Sequence, residues 1–135
     1  MPQPATPPSA RVPYVGRHWH ILYAEDVREL RAVACMALRL DGHTIDCEVD
    51  GQLALACIKA NPGAFDLVLT DHHMPNMNGL EFVEQLRAIK YPGKIVVFSS
   101  DLKPATHDAY LALDVDKVLP KPIFPSELRR VLAEL

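Results

Sequence analysis

Short apolar runs alternate with segments of helical periodicity from residue 20 to residue 135. This alternation predicts successive β-α units around a mainly parallel sheet, with an α/β fold of the doubly wound type. Five runs are predicted as strands, and they are HILYA from residue 20, HTIDCEV from 43, FDLVLT from 65, KIVVFSS from 94 and DKVLPKP from 116. Pro120 lacks a backbone donor, so the fifth strand is expected at an edge of the sheet or to stop pairing there.

Each predicted helix carries apolar residues at the spacing of one helical face, and these residues are expected to face the sheet. The segment HDAY in the fourth helix is expected to face solvent. The residues predicted to point inward are Leu30, Ala34, Ala37 and Leu38, then Leu53, Ala56, Cys57 and Ala60, then Phe82, Val83, Leu86 and Ile89, then Ala105, Ala109 and Ala112, and finally Leu128, Val131, Leu132 and Leu135.

Length and charge indicate one domain without a nucleic-acid or membrane partner. A chain of 135 residues can bury one core, and a net charge of -3 provides no basic field for nucleic acid or an anionic bilayer. Residues 1–18 are rich in proline and lack the apolar core of a signal peptide, so they are interpreted as a flexible leader. The folded domain is therefore assigned to residues 19–135, and a cytoplasmic location is expected.

Three cysteines, Cys35, Cys47 and Cys57, form no CxxC pair, and their odd number does not suit a disulfide framework. A reducing compartment is consistent with this. Cys35 and Cys57 lie among apolar residues of predicted helices, so we interpret them as small buried hydrophobes without a redox role.

Polar side chains cluster at the ends of the predicted strands. Glu25 and Asp26 follow the first strand, Asp71 the third, Ser99 and Ser100 the fourth, and Lys121 the fifth. In doubly wound sheets ligands bind beyond the carboxyl ends of the strands, where the winding direction reverses. These side chains are therefore predicted to converge at one edge of the sheet.

Three neighbouring carboxylates repel one another unless they share a cation, and oxygen ligands of this kind suit magnesium. Lys121 supplies a fixed positive charge and a serine hydroxyl supplies a hydrogen bond. A phosphoryl group requires such a set, with a metal, a cation and an attacking oxygen. Asp71 is the natural nucleophile.

With these motifs the chain resembles the receiver domains of two-component response regulators over residues 20 to 135. The similarity rests on the acidic pair Glu25-Asp26, the segment DHHMPNMNG that starts at Asp71, the segment VVFSS that ends at Ser100, and the step Lys121-Pro122. The resemblance implies a chemotaxis-type, flavodoxin-like fold with five parallel strands in the order 2-1-3-4-5 and five flanking helices. It also implies a phosphorylated switch and not an enzyme, because such a domain catalyses only its own phosphorylation and dephosphorylation.

The resemblance assigns a role to each matching position. Asp71 accepts a phosphoryl group from a histidine kinase or a histidine phosphotransfer protein. Mg²⁺ or Mn²⁺ is bound by Asp26, Asp71 and the backbone carbonyl of His73, and Glu25 acts directly or through water. Ser99 and Lys121 contact the phosphoryl oxygens, and the Lys121-Pro122 bond is cis. The side chains of His73 and Asp101 influence how long the phosphoryl group persists.

Two positions depart from the family pattern. Val118 stands three residues before the lysine, where many receivers carry an aromatic side chain that moves with the switch. Asp114 occupies a turn that usually contains glycine, and it must tolerate a left-handed backbone. A protein target is expected to read the switch on the surface of the fourth helix, the fifth strand and the fifth helix.

Other interpretations remain. A metal site that joins His18 and His20 to His72 and His73 is excluded because the first pair lies at the opposite, amino end of the first strand. A phosphatase of the haloacid dehalogenase type needs a DxD motif after the first strand, which is absent. A phosphate-independent interaction module stays open as an alternative. Since the sequence ends with the fifth helix, it predicts either a stand-alone receiver without an output domain or a receiver fragment of a hybrid kinase or larger regulator.

Overall fold

The computed structural model describes residues 13–101 and 103–135, so most of the predicted leader lies outside the described residues. Within that part of the chain, strands and helices alternate strictly. The elements are β1 (His20–Ala24), α1 (Arg28–Leu40), β2 (Thr44–Glu48), α2 (Gly51–Ala60), β3 (Leu67–Asp71), α3 (Gly79–Ala88), β4 (Lys94–Ser99), α4 (Pro104–Ala112), β5 (Lys117–Pro120) and α5 (Pro125–Glu134).

All strand pairs are parallel, and the sheet order is β2-β1-β3-β4-β5. The predicted doubly wound sheet with five flanking helices is therefore confirmed. β5 lies at an edge, as Pro120 indicated, and Pro120 pairs with Ser99 at the last position of the ladder. Because β1 is followed by α1 and then by β2 on one side of the sheet, while β3 lies on the other, the winding reverses between β1 and β3.

Two apolar layers cover the two faces of the sheet. One contains Leu22, Val68 and Val97 with Phe82 from α3, and the other contains Tyr23, Leu69 and Phe98 with inward residues of α1 and α5. All of β3 is buried, in accord with its continuous apolar sequence. The sheet is thus covered on both faces, and the polar side chains Glu25, Asp71 and Ser99 lie at the ends of its strands.

The predicted inward face of α2 was wrong. Ala54, Leu55 and Ile58 are buried there, whereas Leu53 is exposed and Cys57 is only partly covered. The helix consists almost entirely of apolar and small residues, so several stripes satisfied the same periodicity. Packing against the sheet and α3 selects among them.

The predicted faces of α1 and α4 were also partly wrong. Leu30 of α1 is exposed, and Cys35 and Leu38 are the buried residues of that helix. In α4, Tyr110 is completely buried, while the predicted alanines lie at partly or fully exposed positions. The segment HDAY therefore does not lie wholly in solvent, because its tyrosine reaches the core. Ile89, predicted to point inward, follows α3 and is exposed, whereas Leu135 follows α5 and is partly buried against the core, as predicted.

The expectation that the cysteines form no disulfide was wrong as well, because Cys35 of α1 is disulfide-bonded to Cys47 of β2. α1 packs over the β1–β2 side of the sheet, and this packing brings the two sulfurs together. Sequence spacing alone carried no information about this contact. Cys57 has a free thiol, and partial burial raises its pKa.

A hydrogen-bonded connection links α2 to the loop that follows β3. The buried Asp50 caps α2 by accepting from the backbone N–H of Leu53 at 2.8 Å, and its second oxygen accepts from Asn76 Nδ2 at 2.8 Å. Asn76 has a left-handed backbone with φ of 66°. One carboxylate thus caps the start of α2 and holds the loop after Asp71 in a less populated conformation.

Replacement of Asp50 by alanine is expected to lower the free energy of unfolding by about 1–2 kcal/mol, the usual cost of losing a helix cap. Urea denaturation followed by circular dichroism measures the change. Gln52→Ala, at an exposed position in the same helical turn, is the matched control and should shift stability by less than about 0.5 kcal/mol. Equal effects of the two substitutions would contradict the role given to Asp50.

Candidate functional site

The functional candidates lie at the carboxyl edge of the sheet, where β1 and β3 end side by side. Asp71 is the last residue of β3, and Glu25 follows β1 directly. Both carboxylates are buried, since the residues are 3% and 0% exposed respectively. Buried carboxylates in such proximity require a positive partner.

Lys121 is that partner. Its Nζ lies 3.0 Å from Glu25 Oε1 and 3.0 Å from Asp71 Oδ1. The lysine is positioned by its own backbone N–H, which donates to the carbonyl of Ser99 at 2.9 Å, and the following bond to Pro122 is cis, as expected. Strands β1, β3 and β4 thus contribute to one network with the segment after β5.

Burial governs the electrostatics of this network. It raises the pKa of Glu25, and the nearby Asp71 carboxylate adds to the rise, whereas the hydrogen bond from Lys121 opposes it. For Lys121, burial acts to lower the pKa, but the hydrogen bonds to Glu25 and Asp71 outweigh burial and raise it. Lys121 is therefore a permanently charged group at neutral pH.

Asp26 completes the acidic group. One oxygen from each of Glu25, Asp26 and Asp71 lies within 4.8 Å of the others, and Asp26 is exposed to solvent. Three carboxylates with open access on one side match the donor chemistry of a Mg²⁺ site that retains water ligands. The structure thus brings together the four predicted charged residues. His73 is exposed two positions after Asp71, and the role of its backbone carbonyl stays a prediction.

Ser99 ends β4 at the same edge of the sheet and is buried. Its Oγ accepts from the backbone N–H of Asp101 at 2.9 Å and lies 3.4 Å from the carbonyl of the same residue. The hydroxyl is thus engaged with the β4–α4 loop. To donate to a group on Asp71, the hydroxyl proton has to turn away from the Asp101 carbonyl.

Sequence reasoning missed the contact between His72 and Tyr110. The ring Nδ1 of His72 is hydrogen-bonded to the Tyr110 hydroxyl, and both residues are buried. Burial lowers the pKa of His72, the nearby His73 ring lowers it further, and the carboxylates of Asp101 and Asp71 oppose the shift. Tyr110 was only a weak signal for this contact. A buried tyrosine hydroxyl needs a polar partner, but the sequence does not indicate which residue that partner is.

Val118 lies on β5 at the position where many receivers carry an aromatic side chain. With Ser99, His107 and other residues it lines a cavity of about 390 Å³ between β5 and α4. Asp114, in the turn before β5, has φ of 57° and therefore adopts the left-handed backbone expected for it. Space that a large side chain would fill is thus left beside Ser99.

Packing of α3 closes the other side of the site. Gly79 begins this helix, and its backbone N–H donates to the carbonyl of His72 at 2.8 Å. A methyl group on Gly79 would lie 2.7 Å from the Tyr110 hydroxyl and 2.9 Å from His72 Cα. The glycine of the segment DHHMPNMNG is thus required by a close approach of backbones and not only by a turn.

No helix in the described part of the chain has the length and apolar character needed to cross a membrane.

The family model described as "Response regulator receiver domain" matches residues 21–133. The chain is 36% identical over 135 residues to the sensor histidine kinase AruS of Pseudomonas aeruginosa, covering 97% of this chain and 13% of AruS. It is 33% identical over 116 residues to the two-component response regulator ORR41 of Oryza sativa subsp. japonica, covering 84% of this chain and 91% of ORR41. The chain therefore spans a small part of one relative and most of the other.

Solved structures agree with the fold. The chemotaxis protein CheY4 of Vibrio cholerae superposes with a TM-score of 0.79 at 25% identity, over 87% of this chain and 98% of that one. A receiver domain protein of Methanospirillum hungatei, described as CheY-like, has a TM-score of 0.79 at 21% identity, over 87% and 93% of the two chains.

Repulsion within the acidic group predicts the sign of a change in stability when one carboxylate is removed. We expect Asp26→Asn to raise the free energy of unfolding by about 0.5–1 kcal/mol in EDTA, since the exposed Asp26 carboxylate lies within 4.8 Å of two like charges and close like charges screened by water repel by about that amount. In excess MgCl₂ the order should reverse, because only the wild type retains all its ligands and gains stability from binding. Urea denaturation under both conditions measures this.

Asp108→Asn removes an exposed carboxylate from α4 and is the charge-matched control, with no expected reversal. An Asp26→Asn protein that is less stable than wild type in EDTA would contradict the proposed repulsion.

Proposed function

The chain belongs to the response regulator receiver domain family, and from this premise we propose that it is a phosphorylation-controlled switch whose phosphoacceptor is Asp71. The single observation that carries the proposal is the contact of Lys121 Nζ with both Glu25 and Asp71 at 3.0 Å. This contact provides a positive charge next to Asp71, the carboxylate that we propose as the phosphoacceptor. Burial of Asp71 among these partners limits its rotation and holds its oxygens for attack.

Transfer proceeds from a phosphohistidine of a histidine kinase or a histidine phosphotransfer protein. An oxygen of Asp71 forms a bond to phosphorus, and the bond between phosphorus and the donor imidazole nitrogen breaks. The bonding pair returns to that nitrogen. The product is an acyl phosphate on Asp71 and a free donor histidine, so positioning and charge neutralisation are the main tasks of the receiver.

Lys121 and the acidic group divide the electrostatic task. Asp26, Asp71 and the His73 carbonyl, with help from Glu25, would hold Mg²⁺ or Mn²⁺, which would supply a divalent charge to neutralise phosphoryl oxygens. Lys121 already contacts Asp71 and remains charged because its pKa is raised. It is suited to hold a phosphoryl oxygen once the carboxylate is esterified and its own negative charge is lost.

Ser99 reports the new group to the protein surface. Its hydroxyl leaves the backbone of Asp101 and donates to a phosphoryl oxygen, which releases the β4–α4 loop. The cavity beside Val118 gives the serine and α4 room for this movement without an aromatic gate. Phosphorylation thereby shifts an existing equilibrium between two arrangements of the surface formed by α4, β5 and α5.

A cytoplasmic protein target that binds this surface completes the proposed pathway. Neither nucleic acid nor a membrane is a proposed partner, since the chain has a net charge of -3. AruS is a sensor histidine kinase and ORR41 a response regulator, so the domain is proposed to serve either in a kinase-linked phosphorelay or in a separate regulator.

Incubation with acetyl phosphate and MgCl₂ is expected to add one phosphoryl group, seen by intact-mass analysis. The adduct should be absent without a divalent metal, because the phosphoryl oxygens then lack a divalent charge to neutralise them, and absent in Asp71→Asn, which lacks the nucleophile. Asp108→Asn is the matched control and should react as the wild type does.

If the wild type stays unmodified with acetyl phosphate, phosphoramidate and a histidine phosphotransfer donor, the chain is a phosphate-independent interaction module. An adduct that persists in Asp71→Asn would move the acceptor to another residue.

A further inference from the structure

We propose that His72, His73 and Asp101 form a second cation site, selective for a transition metal such as Zn²⁺ and distinct from the acidic group of Glu25, Asp26 and Asp71. One ligand atom from each of the three residues lies within 4.8 Å of the others. The proposal does not rest on phosphotransfer, and it is tested on the unphosphorylated protein. Failure of one therefore leaves the other intact.

His72 is the fixed ligand of this site. Its ring is buried, and Nδ1 is hydrogen-bonded to the Tyr110 hydroxyl, while Nε2 lies 3.9 Å from Asp101 Oδ2. When Nδ1 donates its proton to the tyrosine oxygen, Nε2 carries a lone pair that faces the carboxylate. A partner on the second ring nitrogen is the usual support of a metal-binding histidine, because it fixes the tautomer and the ring orientation.

Asp101 is the oriented carboxylate ligand. Oδ1 accepts from the backbone N–H of Lys103 at 2.9 Å, and Oδ2 accepts from Thr106 Oγ1 at 3.0 Å. These bonds hold the group at the start of α4, facing the end of β3. A ligand whose rotation is already restricted loses less entropy when a metal binds.

His73 is the mobile ligand. Its ring is exposed and lies edge-on to the ring of His72, with centroids 4.7 Å apart. Bonds from zinc to nitrogen are about 2.0–2.1 Å long. Ligand atoms bound to one zinc ion are therefore closer together than the 4.8 Å within which these three atoms lie. Rotation of the exposed His73 ring brings its nitrogen closer without movement of the buried His72, and a small shift of Asp101 shortens the 3.9 Å between its Oδ2 and His72 Nε2.

The site is open to solvent, and its donor atoms favour a transition metal. His73 and Asp101 line an open depression with Ser100, Lys103 and Pro104, through which a hydrated ion can enter. Two imidazole nitrogens and one carboxylate oxygen suit Zn²⁺, Cu²⁺ or Ni²⁺, whereas an all-oxygen set suits Mg²⁺. The two sites therefore sort cations by ligand chemistry, although they are joined through the backbone N–H of His72, which donates to Asp71 Oδ1 at 2.9 Å.

Titration of the metal-free full chain with Zn²⁺ in a calorimeter, and with Co²⁺ by visible absorption, is expected to show one site that excess Mg²⁺ does not displace. His73→Ala and Asp101→Asn should each weaken binding at least about tenfold. The matched control is His107→Ala, which removes an exposed histidine of α4 and should leave affinity unchanged. Cys57→Ser controls for binding by the free thiol.

Tyr110→Phe tests the supporting contact and should weaken binding by about tenfold or more, with folding checked by thermal unfolding. Nitrogen-15 shifts of the His72 and His73 rings report coordination directly. The proposal is overturned if no Zn²⁺ binds, if His73→Ala and Asp101→Asn bind as tightly as wild type, or if Asp26→Asn abolishes binding and they do not.

Discussion

The arrangement of the carboxyl edge depends on one electrostatic constraint, the burial of Glu25 and Asp71 next to each other. Two carboxylates cannot share a low-polarity site without a cation, and Lys121 contacts both at 3.0 Å. The constraint fixes the geometry of three strand ends, because Lys121 is held through the carbonyl of Ser99 while the carboxylates extend from β1 and β3. The same two carboxylates form, with Asp26, the acidic group that matches the donor chemistry of a Mg²⁺ site.

The fold and the charged residues of the site could be predicted from sequence because they depend on strand order and strand ends. A continuous apolar run that ends at Asp71 places that residue at the edge of the sheet, whatever the helices do. The inward faces of α2 and α4 could not be predicted in the same way. The α2 segment is apolar on nearly every side, and α4 contains small residues that allow several faces. Tertiary packing decided between alternatives that local periodicity left nearly equal.

Contacts between residues far apart in sequence were the second class of missed features. Tyr110 pairs with His72, and Cys35 pairs with Cys47, although nothing in the spacing of either pair indicates proximity. Each depends on how a helix lies on the sheet. The segment after Asp71 is therefore fixed by tertiary hydrogen bonds as well as by its turn residues. Asp50, the cap of α2, binds Asn76, and Tyr110 of α4 binds His72. Both helices therefore have hydrogen-bonded contacts with the loop that carries the histidines.

The two edge strands of the sheet also influence whether copies of the protein pair with one another in a concentrated solution. An unpaired strand edge can template pairing with another chain, which leads to aggregation. β5 is only four residues long and ends in Pro120, which has no N–H to offer, and β2 carries the charges of Asp46 and Glu48 within five residues. Intermolecular sheet extension is thereby disfavoured at both ends of the order β2-β1-β3-β4-β5. Both edges of the sheet are therefore poor templates for pairing with a neighbouring copy of the protein.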